Sequence, residues 1–168
     1  MLILPELMAV FDSARLVHLI RHPIPSSIRR THKTSRAGNP VGSAVLSAAY
    51  ARCGLDSTRI KTDEDYQRNA TTWLYQVEAV RRFASAYLSS DNYLELRYED
   101  LCKNYNQVRQ KLADFVGVEN LVFDTNSSMP IVDERTNNTS FDQPQADEIW
   151  NLCGDVGVAL GYSRHGVG

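Results

Sequence analysis

A guanidinium is the side chain best shaped to hold a phosphate, because its planar fork meets two oxygens at once. Arg21 stands where such a contact is made. It closes the run Arg15-Leu16-Val17-His18-Leu19-Ile20-Arg21, and His22-Pro23 follow directly. Ser26 and Ser27 come a few residues later, with hydroxyls and amides to offer in a first helical turn, and Arg29, Arg30 and Lys33 add charge. With Arg36 there are five cationic residues between 21 and 36. The whole chain sets 18 Lys+Arg against 20 Asp+Glu, a formal net charge of -2. The cationic cluster is therefore local, and no general attraction to nucleic acid or an anionic membrane is expected. The pattern predicts a phosphate site. The plainer alternative is a solvated basic helix, with Arg21 paired to Glu99 or Asp100.

Other constellations point to less. His18, His22, His32 and Cys53 match no metal-ligand spacing, and Cys53, Cys102 and Cys153 form no CxxC pair. Neither a zinc site nor a disulfide framework is suggested, and a reducing, cytoplasmic setting is the expectation. Glu99 and Asp100 are adjacent, so their side chains point apart; helix capping or pairing with Arg97 is expected of them, not paired acid–base work. No GxSxG elbow and no GxxxxGK(S/T) loop occurs in the sequence. A catalytic residue therefore stays unassigned.

The element that must position Arg21 is a strand. Residues 16–20 are nearly all apolar and bounded by turn formers, the mark of a strand buried on both faces of a parallel sheet. Pro23 and Pro25 end it, and Ser26 to His32 can start a helix. Before it, Pro5 to Phe11 reads as a short helix. Residues 34 to 62, with Gly38-Asn39-Pro40, Gly42 and Gly54, read as a surface insertion or lid with one short helix. Tyr66, Ala70, Trp73, Val77, Val80, Ala84 and Tyr87 then repeat at helical spacing, behind a capping box of Thr62 and Asp65. Tyr93 to Tyr98 predicts a second strand. Val108, Leu112 and Phe115 mark a helix closed by Gly117, and a last helix runs from about Pro144 to Gly161. The alternation predicts one α/β domain over 1–168, a parallel sheet flanked by helices. Two strands make that sheet thin. No apolar run approaches the roughly 18–20 residues of a membrane span, and Met1 to Glu6 lack the basic flank of a signal peptide.

These residues resemble a known family. Arg15 to Pro23 looks like the second nucleotide-binding segment of the sulfotransferases that use 3′-phosphoadenosine 5′-phosphosulfate, where a strand ends in Arg-Asp-Pro or Arg-His-Pro. Tyr93-Leu94-Glu95-Leu96-Arg97-Tyr98-Glu99-Asp100-Leu101 is similar to the family's later strand, ending Arg-Tyr-Glu-Asp-Leu. Phe115-Val116-Gly117, Trp73 and the ending Ile149…Cys153…Leu160-Gly161-Tyr162 fit as well, so the resemblance runs from about residue 4 to 162. It implies a P-loop NTPase-like fold of sulfotransferase type. It implies that Arg21 binds the donor's 3′-phosphate and that Tyr98 addresses adenine; Ser26, Ser27 and Arg29 are candidates for the supporting contact. Arg29 stands where the family has a serine.

The implied ligands are 3′-phosphoadenosine 5′-phosphosulfate or adenosine 3′,5′-bisphosphate, with no metal. The implied acceptor is a hydroxyl or amine of a small molecule, carbohydrate or lipid, with residues 34 to 62 expected to shape the acceptor side. The family's N-terminal loop for the sulfate-bearing end has no counterpart in the sequence. The chain is therefore expected to be incomplete at its N-terminus, weak or inactive alone, and able to pair with a second copy through the face left open. Two alternatives are a non-catalytic remnant that binds nucleotide or a partner, and a nucleoside-phosphate kinase-like domain. The missing glycine-rich loop argues against the second.

Overall fold

The computed structural model describes residues 4–11, 13–28, 40–118 and 142–167. Its elements run α1 (Leu4–Val10), β1 (Leu16–Ile20), α2 (Pro23–Ile28), α3 (Pro40–Arg52), α4 (Arg59–Thr62), α5 (Asp65–Tyr87) and β2 (Tyr93–Arg97). They continue with α6 (Tyr98–Lys103), α7 (Tyr105–Val116), α8 (Gln143–Ala159), β3 (Tyr162–Ser163) and β4 (Gly166–Val167). β1 and β2 pair in parallel, with Leu16 opposite Tyr93 and Ile20 opposite Arg97. Parallel neighbours need a long crossover, and helices α2 to α5 supply it. β3 and β4 form a separate antiparallel pair. The expected α/β class is what is found.

Alternation along the two strands sorts their side chains. Ile20 joins Val77 of α5, Leu160 and Tyr162 in one apolar cluster, with Trp73 and Trp150 packed on it. On the opposite face Leu94 and Leu96 meet Val108, Leu112 and Phe115 of α7. A third cluster joins Ile24 of α2, Ala70 of α5 and Ala146, Ile149 and Cys153 of α8. The two-sided burial expected of β1 is therefore not found. Val17 is 38% exposed and Leu19 48%, because α7 covers Leu94 and Leu96 and stops short of the outer strand.

Within residues 34 to 62, residues 53–58 form a largely exposed turn, while 40–52 form a helix longer than the short one expected. α3 is 13 residues long, and Leu46, Ala49 and Tyr50 are fully buried where it packs against α5. Its small residues allow that close approach, which is why the stretch looked loop-like in sequence. Tyr50 donates from its hydroxyl to Asp63 Oδ2 at 2.7 Å, tying α3 to the turn before α5. The cap of α5 also differs by two residues from the expected box: Glu64 N–H donates to the Gln67 side chain at 2.8 Å, while Thr62 bonds back to Arg59 O. α2 begins at Pro23 and is described to Ile28, so the rest of the expected helix to His32 lies outside the described residues. Among the described residues no helix is long and apolar enough to cross a membrane.

Candidate functional site

Parallel pairing in this register brings the two strands to an end side by side, so Arg21 and Tyr98 leave the sheet as neighbours. In open α/β sheets that carboxyl edge is where ligands sit. Arg21 Cζ lies 4.9 Å from the centre of the Tyr98 ring, a cation–π stack. Trp73 of α5 donates from its indole N–H to Arg21 O at 3.0 Å and anchors the arginine's main chain. Cys102 sits one helical turn beyond Tyr98. Burial pushes its thiol up, while a hydrogen bond with Tyr98 and the Arg21 charge act in the opposite direction.

Behind this pair lies a polar brace. Glu99, 6% exposed, accepts the His22 backbone N–H at 2.9 Å on Oε1. Its Oε2 is 2.9 Å from the Tyr162 hydroxyl, which also lies 3.0 Å from Ile20 O. Burial, helped by Glu99, holds the Tyr162 hydroxyl far above an ordinary phenol in pKa. His22 donates from Nε2 to Ser163 O at 2.8 Å and accepts the Ile24 N–H on Nδ1 at 3.2 Å, which sets a neutral tautomer. Its ring stacks on Trp150 and meets the Tyr162 ring edge-on. Burial lowers its pKa most; the Arg21 charge adds to that, and the Ser163 carbonyl and Glu99 oppose it.

Asp100 takes Arg97 as a two-point partner, at 2.7 and 3.0 Å, and Arg97 also donates to Gly161 O at 3.0 Å. The pairing expected between Asp100 and Arg97 is therefore present, and Glu99 and Asp100 serve separate partners. Both carboxylates weighed as counterions for Arg21 are engaged in this way. Of the serines, Ser27 is 0% exposed and donates its hydroxyl to Pro23 O at 2.7 Å, while its carbonyl accepts from Asn69 at 2.8 Å. Ser26 is half-buried, and its N–H donates to His22 O. Arg29, Arg30, Lys33, Arg36 and His32 lie outside the described residues. His18 belongs to a different cluster: Tyr93 OH lies 2.9 Å from His18 Nδ1 and donates to Glu95, which Arg81 also reaches. Among the described residues no group of His, Cys, Asp or Glu could hold a metal ion.

Sequence reasoning singled out Arg21 and Tyr98, which the structure brings together at the strand ends, and missed the brace. Glu99 was read as a cap or an ion-pair partner, and Tyr162 only as part of a terminal motif. A tyrosine after a helix-stopping glycine was the one available signal, and it does not say which strand tip its hydroxyl reaches.

Residues 1–123 match a family model described as the sulfotransferase family. The match contains β1 and β2 and both residues of the cation–π stack. No curated protein and no solved structure matches the chain. With its parallel strand pair, its flanking helices and a match over more than half its length, the chain belongs to the sulfotransferase family and has that family's P-loop-like α/β fold.

Proposed function

We propose that the strand tip binds the 3′-phosphoadenosine end of 3′-phosphoadenosine 5′-phosphosulfate. The observation that carries this reading is the stack of Arg21 on Tyr98 where two parallel strands end together. The guanidinium receives the 3′-phosphate through charge-assisted hydrogen bonds. The Tyr98 ring offers an aromatic face and a polar tip to the base. Ser26 and Arg29 are the supporting contacts of choice, since Ser27 spends its hydroxyl proton inside α2. The chemistry that the donor brings is an activated sulfuryl group for transfer to a hydroxyl or amine of a small-molecule, carbohydrate or lipid acceptor.

On the protein side such a transfer needs positioning, charge stabilisation and a base for the acceptor hydroxyl. Arg21 and Tyr98 serve the first. The sequence contains no glycine-rich phosphate loop to stabilise the 5′ end. Turnover by this polypeptide alone is accordingly expected to be slow, with binding outlasting catalysis.

Calorimetric titration with adenosine 3′,5′-bisphosphate tests the assignment. A hydrogen bond to a charged group contributes roughly 1.5–3 kcal/mol, so Arg21→Ala weakens binding about tenfold to a hundredfold. A folded wild-type chain that gives no heat of binding refutes the assignment.

A further inference from the structure

The tripeptide Ile20-Arg21-His22 is held by its main chain at every residue. Ile20 O faces the Tyr162 hydroxyl, Arg21 O accepts from Trp73, and His22 N–H donates to Glu99. Two of these three anchors meet in one place, because Glu99 Oε2 and Tyr162 OH are 2.9 Å apart. Glu99 is also the residue after Tyr98. A single buried carboxylate thus links the backbone next to Arg21 with the backbone next to Tyr98. Tyr162 lies outside the matched residues 1–123, in the strand that follows α8.

We propose that Glu99 and Tyr162 are positioning residues for the donor site, and that docking of β3 on the strand tip sets nucleotide affinity. The inference rests on the nucleotide reading of Arg21 and Tyr98 given above. Neither residue is needed to touch the ligand. They fix the distance and angle between guanidinium and ring before a nucleotide arrives, so less ordering is left for binding to supply. Removing the Tyr162 hydroxyl takes a partner from a buried carboxylate and from Ile20 O together, and the strand tip loosens on both sides of Arg21.

The network also predicts which substitution is tolerated. In Glu99→Gln the amide oxygen keeps the His22 N–H, and the amide N–H₂ donates to Tyr162 OH, whose own proton goes to Ile20 O. Every bond survives without the charge. Glu99→Ala loses both links. Tyr162→Phe loses the hydroxyl and keeps the ring against His22.

The experiment measures the dissociation constant for adenosine 3′,5′-bisphosphate on the full chain. It covers wild type, Tyr162→Phe, Glu99→Ala and Glu99→Gln, each also combined with Arg21→Ala, with circular dichroism confirming the fold. Tyr162→Phe and Glu99→Ala are expected to weaken binding about tenfold, and Glu99→Gln to recover most of that loss. In the Arg21→Ala background the Tyr162→Phe effect should shrink to about twofold, since there is no longer a guanidinium to place. A folded Tyr162→Phe that binds like wild type overturns the proposal. So does an equal loss in both backgrounds, the signature of a purely structural role, or Glu99→Gln as damaging as Glu99→Ala. Failure of the wild type to bind overturns the nucleotide assignment itself, and this inference with it. Wild-type binding with indifferent variants overturns this inference alone.

Discussion

His22 shows how neighbours write the protonation state of one side chain. Its Nδ1 accepts from Ile24 N–H, so a proton placed there would set donor against donor. Burial lowers the pKa from 6.5, Arg21 adds to that, and the Ser163 carbonyl and Glu99 oppose it without reversing it. His18 is also lowered, first by burial; Glu95 opposes the shift and Arg81 adds to it. Both imidazoles therefore bind protons more readily in the unfolded chain. Their contribution to stability is complete above about pH 6.5 and is lost as the pH falls through the lower folded values. The urea midpoint should be flat from pH 8 to 7 and fall between pH 6.5 and 5, with a shallower fall in His22→Gln. A midpoint that rises on acidification contradicts this account. At this scale the sequence was readable where a local run fixes a position, as with Arg21 directly after the strand Leu16–Ile20. It was opaque for Glu99, whose partners lie 77 and 63 positions away.

The turn between α8 and β3 depends on Gly161. Its φ of +78° lies in the left-handed region, and an added Cβ would stand 2.7 Å from Arg97 Nη1. The same arginine donates to the Gly161 carbonyl and to both oxygens of Asp100. Gly161→Ala should cost about 1–2 kcal/mol in backbone strain alone, with more from displacing Arg97. Chemical denaturation would measure that loss, and an unchanged midpoint would mean that the turn rearranges freely. The long periodic elements β1, α5, β2, α7 and α8 were legible in order and kind, because periodicity is local, whereas the short α4, α6, β3 and β4 were not. Nor was coverage. The run Leu16 to Ile20 looks the same whether one face or two are packed, and only the position of α7 decides that Val17 and Leu19 stay exposed. α3 misled for a related reason: small residues signal a loop in sequence and a close helix contact in space.

Across the whole molecule α8 is as much a part of the core as the matched residues are. Ile149 and Cys153 are buried with Ile24 and Ala70, directly under α2 and the strand tip. Ile149→Ala should destabilise the chain by about 2–5 kcal/mol, measured as a fall in urea midpoint at unchanged slope. A cost near zero would show that α8 docks without supporting the rest. The architecture was legible from the two strand motifs and the helix after each, yet nothing in those motifs said that the C-terminal segment folds back onto them. Closure of that kind is set by long-range packing and not by pattern.

The chain's two tryptophans share one address. Trp73 donates to Arg21 O, and Trp150 lies stacked on His22. Ultraviolet emission from this protein is therefore a native optical signal from the strand tip, with no remote indole to dilute it. An imidazole that takes up a proton against an indole ring quenches its light. Charge arriving beside Arg21 or His22 becomes visible in a cuvette without a label.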